Sequence, residues 1–494
     1  MVVETEYGKI RGKRERDCEV FLGIPYAKPP IGPLRFRRPV PPDPWSDVLE
    51  CTRFGFICPQ PGKPTPADRS VSMSEDCLTL NVFTPACDGK KRPVAVWIHG
   101  GAYLTGSACD PGFFPHQICA EQDVVNVTIQ YRLGALGCVD FSGLSGAKGR
   151  FDANCGTWDQ VAAVNWVMEN IEAFGGNPKE ITLMGGSAGG TSVLTLITTP
   201  YLKGKIRQAV MESPAPWLPL TREGGRLGAL KVLEELGLGE DEVQKILDIP
   251  ADRLAEATNA AEYKYYAYRP YTIPTGPVVD GDLIPELPFD AVMHGAADEV
   301  DVLIGSTADE ATLFANPKLP NLFSIREQEL EHFFKDHPEA KKEQILALYP
   351  DYPDIKAFQE IGKEMFFHAG ILRLAEYLAQ HTNVYVYCVT YSTPVLRLLG
   401  MGAVHCINTS MLSGEFRSFL GWFAGRKNKA FSRQLQAQWG SFFRTGNPSV
   451  EGYPAWPAYG KEKNTYFIDV KSQVRQHPFA EVEEAYGTIR PYGN

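Results

Sequence analysis

The 494-residue chain has no apolar run approaching the roughly 18 residues that a membrane-crossing helix requires, so no membrane span is expected. It also lacks an excess of basic residues. Its 49 Lys and Arg face 59 Asp and Glu, a formal net charge of −10, which argues against nucleic acid as a partner. Cysteine is sparse: eleven is an odd count, far below the density of a disulfide scaffold, and reduced thiols are expected. The shortest cysteine spacing, Cys51 to Cys58, has no histidines near it, so no metal site is expected. No glycine segment fits a dinucleotide or P-loop pattern, and no cofactor is implied. Internal repeats and low-complexity tracts are absent. The first residues, Met1 to Glu6, show no charged leader before an apolar stretch, so the expected compartment is the cytoplasm.

What the chain does have is an alternation of strand-like and helix-like segments. Strands are expected at 93–98, 124–131, 181–184, 207–211, 301–305 and 383–390, and helices at 157–173, 189–198, 222–236, 324–335 and 427–444. Such alternation predicts an α/β architecture with a large, mostly parallel sheet covered on both faces. The Pro/Gly-rich stretches 25–44 and 59–66 read as loops.

Two glycine motifs stand at the ends of expected strands. Gly185-Gly186-Ser187-Ala188-Gly189 follows Glu180 to Met184 and precedes a helix, the setting in which a strained turn lifts a serine hydroxyl above a sheet. Upstream, the strand Pro93 to Ile98 runs into His99-Gly100-Gly101-Ala102. Glycines at 100 and 101 would let backbone N–H groups approach a developing oxyanion, and Ala188 supplies a third N–H. The stretch resembles the HGGG-type motif of esterases and lipases, in which Ala102 stands at the third glycine position and so should stiffen the loop. His99 reads as an anchor of this motif rather than a proton carrier.

A serine nucleophile needs a histidine base, and that base needs a carboxylate. The histidines beyond Ser187 are His294, His332, His337, His368, His381, His405 and His477. His405 stands apart, because Gly400 to Val404 forms a compact loop leading into it after a strand. For the acid, the strand 301–305 ends just before Asp309 and Glu310, where open α/β sheets place function. Spacing does not choose between those two, and Asp280 is a weaker third option.

The motifs in sequence order resemble those of type-B carboxylesterases, an α/β-hydrolase family that includes cholinesterases, bile-salt lipases and bacterial p-nitrobenzyl esterases. The matching segments are Gly8 to Gly12, Phe21 to Pro30, Arg35-Phe36, Ser74 to Val82, Tyr131 to Gly134, Asn154 to Gly156 with Asp159-Gln160, Phe174 to Pro178, Thr445 to Pro448 and Trp456-Pro457. They span nearly the whole chain. The resemblance implies one α/β-hydrolase domain over 1–494, with helical segments inserted over an active-site gorge and a helical subdomain at about 316–430 carrying the histidine. It implies a serine carboxylesterase acting through an acyl-enzyme on a small-molecule ester and water. Ser187 would be the nucleophile, Glu310 the acid and His405 the base, with Gly100, Gly101 and Ala188 as the oxyanion hole.

The resemblance further implies Ser213 as a supporting residue near His405, and it makes Cys58 and Cys77 the pair that secreted relatives bridge. Trp217, Phe314 and Phe416 lie near motif positions and are candidate pocket walls. Tyr263, Tyr265, Tyr266, Tyr268 and Tyr271 are candidates to line a gorge or a packed surface excursion. The elbow departs from the family pattern, since Gly186 replaces the usual glutamate and Glu212 replaces a glutamine, so Glu212 is expected to restore part of the missing charge. Alternatives are a lipase-like member acting on longer acyl chains and a catalytically impaired binding protein, the latter opposed by the presence of Ser187, Glu310 and His405. A histidine base of ordinary pKa predicts activity rising through about pH 6 to 8.

Overall fold

The computed structural model describes residues 1–62, 70–268, 273–314, 325–337, 340–414, 425–487 and 489, without the side chains of 266–268 and 336. In chain order the strands are β1 (Val2–Thr5), β2 (Gly8–Arg11), β3 (Lys13–Glu15), β4 (Cys18–Pro25), β5 (Leu49–Glu50), β6 (Thr79–Thr84), β7 (Arg92–Ile98), β8 (Val125–Ile129), β9 (Gly176–Gly186), β10 (Gln208–Glu212), β11 (Asp301–Thr307), β12 (Val384–Val389), β13 (Asn464–Ile468) and β14 (Gln473–Gln476). Strands β1, β2 and β5 form a small sheet. The other eleven form one sheet in the order β14-β13-β12-β11-β10-β9-β7-β8-β6-β4-β3. Its centre, from β8 through β7, β9, β10, β11 and β12 to β13, is parallel, and both margins are antiparallel.

The central strands have apolar residues on both faces because both faces are covered. On β7, Val94, Val96 and Ile98 enter one core while Ala95 and Trp97 enter another. The same division separates Ala209 and Met211 from Val210, and Val302 and Ile304 from Leu303, as the period of two requires. The helices Cys155–Asn170 and Ala188–Thr198 fill the first side, with Val161, Val164, Val193 and Leu194 buried. On the second side the helix Arg426–Thr445 presents Phe431, Leu435, Trp439, Phe442 and Phe443, a stripe at helical spacing.

The expected central strands and the helices over 157–173, 189–198, 222–236, 324–335 and 427–444 are present within a few residues, although β9 starts earlier, at Gly176. Between 316 and 430 the described chain is helical on both sides of β12, which enters the main sheet beside β11. Polar pairs, one of them fully buried, fix the loops behind the site. Arg132 makes a bidentate pair with Asp159, both bonds at 2.7 Å, and Arg35 binds Glu75 at 2.7 Å. Cys58 and Cys77 are free, fully buried thiols in hydrogen-bond contact with each other, which with burial pushes the Cys77 thiol well up. Among the described residues no helix is long and apolar enough to cross a membrane.

Candidate active site

Three sheet connections converge at the carboxyl ends of the central strands. Ser187 is the single residue between β9 and the helix Ala188–Thr198, and it sits at φ 58, ψ −128. A side chain rarely adopts that conformation, and tight packing on both sides of the turn enforces it. A Cβ on Gly185 would meet the carbonyl carbon of Gly189 at 2.4 Å, and one on Gly189 would meet the Ile98 carbonyl at 2.1 Å. These two glycines let the turn close. The Ser187 N–H donates to the Glu212 carbonyl at 2.8 Å, which ties the turn to the end of β10.

The loop after β7 lies against this turn, where a Cβ on Gly100 would stand 3.0 Å from Ser187 Cβ. Gly101 at φ 110 and Ala102 at φ 55 turn the loop over. Among the described residues, no group accepts a bond from the N–H of Gly100 or Gly101. Ala188 is the first residue of its helix, so its N–H has no acceptor within the helix. His99 is buried beneath them, stacked on Tyr131 at 4.4 Å, with Nδ1 at 2.9 Å from the Gly100 carbonyl. Burial lowers its pKa to about 4, so the ring is a neutral anchor.

Glu310 and His405 meet through Oε2 and Nδ1. The other carboxylate oxygen of Glu310 accepts from the Ser213 hydroxyl and from the Thr307 N–H, each at 2.6 Å. Burial opposes its charge, yet His405 and these donors hold the Glu310 pKa below the ordinary carboxylate value. For His405 burial works against protonation, but the adjacent Cys406 thiol and Glu310 outweigh it and raise the pKa. His405 Nε2 is buried with no hydrogen-bond partner among the described residues. Of the other two carboxylates that spacing left open, Asp309 accepts from the Ala403 N–H at 2.7 Å and Asp280 accepts from Asn154 at 2.9 Å.

Glu212 is fully buried at the end of β10, where burial raises its pKa to about 7. Its carboxyl group accepts from Thr409 at 2.5 Å and from Trp439 at 3.0 Å. A Cβ on Gly186 would come 3.3 Å from the same Thr409 hydroxyl and 3.4 Å from Cys406 Sγ. Position 186 and Glu212 therefore share a polar neighbour on the helix Ile407–Ser413, which directly follows His405 and Cys406.

Of the expected pocket walls, Phe314 packs edge-on against His405 at 5.2 Å. Phe367, which sequence reading missed, flanks the same ring at 4.8 Å. Trp217 packs on Phe289 at 4.8 Å instead, with the Arg373 guanidinium 5.9 Å above it. Phe416 lies outside the described residues, as do the side chains of Tyr266, Tyr268 and Tyr271. Tyr263 is exposed, while Tyr265 is buried and donates to the Gly224 carbonyl at 3.2 Å. Also missed were Cys406 and Thr409, which tertiary packing brings to the elbow.

The Carboxylesterase family model matches residues 1–485. The chain belongs to this family. The para-nitrobenzyl esterase of Bacillus subtilis (strain 168) is 33% identical over 497 residues, covering 97% of each chain. The phenmedipham hydrolase of Pseudarthrobacter oxydans is 32% identical, covering 93% of this chain and 92% of that one. Among solved structures, a PNB esterase superposes with a TM-score of 0.86 at 32% identity, covering 98% of this chain and 99% of the other. The carboxylesterase EST55 of Geobacillus stearothermophilus gives 0.85 at 35% identity with the same coverage. The fold is that of α/β-hydrolases, and this carboxylesterase family member is a carboxylic ester hydrolase.

Proposed function

We propose that the protein is a serine carboxylesterase in which Ser187, His405 and Glu310 form the catalytic triad and Gly100, Gly101 and Ala188 form the oxyanion hole. The observation that carries this reading is the division of the His405 ring: Nδ1 is engaged by buried Glu310, and Nε2 is buried without a partner among the described residues. That arrangement favours the tautomer with hydrogen on Nδ1 and a lone pair on Nε2.

In the first step Nε2 takes the Ser187 hydroxyl proton as Oγ bonds to the ester carbonyl carbon. The carbonyl oxygen becomes an oxyanion and accepts hydrogen bonds from the three amide N–H groups. Collapse breaks the bond to the alcohol oxygen, which leaves with the proton from Nε2. Water then repeats the sequence on the acyl-enzyme, releasing the acid and restoring Ser187. Glu310 stays ionised throughout, and Ser213 and the Thr307 N–H hold its carboxylate toward the ring.

Residues 1–494 are read as one catalytic domain, with the largely helical part at about 316–430 contributing His405, Phe367 and the wall around them. Eleven unbridged cysteines favour the cytoplasm as its compartment. The partners are a small-molecule ester and water.

Hydrolysis of p-nitrophenyl esters from acetate to decanoate by the native protein and Ser187→Ala tests the reading. Turnover by the native protein and none by the variant is expected, and the chain-length optimum sizes the acyl pocket. Equal turnover by both, or none by a folded native protein, would reject it, the second result in favour of a binding protein.

A further inference from the structure

Glu262 is fully buried on the helix Ala251–Tyr268, and its Oε1 lies 2.8 Å from the hydroxyl of Thr275, which is itself fully buried. Glu262 Oε2 has no hydrogen-bond partner among the described residues. The same Thr275 hydroxyl lies 3.0 Å from the carbonyl oxygen of Ala102. Ala102 is in the left-handed region at φ 55, which costs a residue with a Cβ more than it costs glycine, so contacts such as the one from Thr275 help to hold the loop there.

One hydroxyl has one hydrogen. Were Glu262 ionised, Thr275 would face two acceptors, the carboxylate and the Ala102 carbonyl, and could satisfy only one of them. With a proton on Glu262 Oε1 both contacts acquire a hydrogen: Glu262 donates to Thr275 Oγ1, and Thr275 donates to Ala102. Resting on the assignment of Gly100 and Gly101 as oxyanion donors, we propose that Glu262 is held as a neutral carboxylic acid and acts, through Thr275 and the Ala102 carbonyl, as a positioning residue for the oxyanion loop.

The surroundings fit a neutral acid. Burial raises the Glu262 pKa to about 8 against the opposing effect of the Thr275 bond. The helix packs against Arg222–Glu235 and the turn Gly134–Gly137. On the first of these, Arg226 pairs with Glu240, Lys231 with Glu234, and Glu235 with Lys264; Arg222 donates to the Asp280 carbonyl, and Glu223 is exposed. The turn itself has no titratable side chain. Tyr103 of the loop and Cys138 beyond the turn are pushed up by burial and stay uncharged. Ionisation above about pH 8 would draw the Thr275 hydrogen to the carboxylate and release Ala102.

The test measures kcat and KM for p-nitrophenyl acetate from pH 6 to 9.5, with thermal midpoints, in native protein, Glu262→Gln, Glu262→Leu and Thr275→Val. A glutamine amide donates to Thr275 at every pH, so Glu262→Gln should keep kcat within about twofold of native at pH 7. The ratio of its kcat to native should then climb about fivefold or more through pH 8. Glu262→Leu and Thr275→Val should lose about tenfold in kcat with KM nearly constant, because the loop amides bind the oxyanion and not the ground state. A ratio flat in pH, or a Thr275→Val variant with native kcat, overturns the proposal. Difference infrared spectra supply a readout independent of turnover: native protein at pH 7 should show a protonated-carboxyl carbonyl band that Glu262→Gln lacks. Absence of that band overturns the proposal even in an active esterase. A native protein without turnover, the band being present, instead overturns the triad assignment and the loop role that rests on it.

Discussion

Asp309 and Glu310 are chain neighbours whose carboxylates serve opposite ends of one loop: Asp309 accepts from the Ala403 N–H at 2.7 Å, and Glu310 engages the His405 ring two residues further on. A Cβ on Gly402, at φ 68, would strike the Asp309 carboxylate at 2.2 Å, so the loop is moulded around it. Two tests separate the roles. Glu310→Gln should lower kcat by about 10³-fold or more, since the imidazolium loses its counter-charge and the tautomer its anchor. Asp309→Asn should keep measurable turnover and lower the thermal midpoint instead. Equal losses in kcat would contradict the division.

The pH profile should carry the mark of Cys406. Because Cys406 and Glu310 raise the His405 pKa against burial, His405 is protonated to a higher pH than an isolated imidazole, and the midpoint of the rising limb of kcat/KM should lie above about pH 6.5. This moves the limb expected from an ordinary histidine upward. Cys406→Ser, which removes the sulfur beside the His405 ring, should move the limb to lower pH. An unmoved limb would show that Cys406 does not act on His405.

The centre of the sheet was legible in the sequence because its strands are buried on both faces and appear as uninterrupted apolar runs, as in 93–98 and 301–305. The margins were not. Strands β3 and β14 are short and largely polar, and β4 carries a register shift between Phe21 and Ile24, so no clean period was available. Within the site, the tight turn at Ser187 and the glycine loop after β7 were legible because strain and close approach demand glycine locally. Spacing alone did not separate Glu310 from Asp309, since both carboxylates leave one turn; the family resemblance implied Glu310, which is the one that meets His405. Phe367 and Thr409 carry no local signal; long-range packing alone brings them to the site. Cys406 stood beside the candidate base and could have been noted as a titratable neighbour.

Stability should fall as pH rises through the range in which Glu212 resists ionisation. Its pKa is raised from 4.5 to about 7 by burial, so between those values the unfolded chain has released a proton that the folded chain retains. The folded state is then penalised by up to about 1.4 kcal/mol per pH unit for this group. Below 4.5 the penalty is absent. Glu212→Gln should therefore gain stability relative to native when pH is raised from 5 to 8, read by urea unfolding. A pH-independent difference would contradict the burial argument.

Arg132 and Asp159 form a buried bidentate pair behind the loop on which Tyr131 holds His99. Asp159→Asn leaves an unpaired buried guanidinium and should cost about 3–5 kcal/mol in urea unfolding. Arg132→Met combined with Asp159→Leu should recover most of it. A double variant as unstable as the single one would mean that the hydrogen bonds, rather than the charges, dominate.

Covalent trapping tests the central claim most directly. The protein is treated with diethyl p-nitrophenyl phosphate, which forms a stable phosphoryl ester on an activated serine, and the modified peptide is located by mass spectrometry. One adduct per chain on Ser187, formed in step with the loss of esterase activity and absent from His405→Ala, is the predicted result. An adduct on Ser213 or another residue, or full activity in protein modified at Ser187, would contradict the assignment of Ser187 as the nucleophile activated by His405.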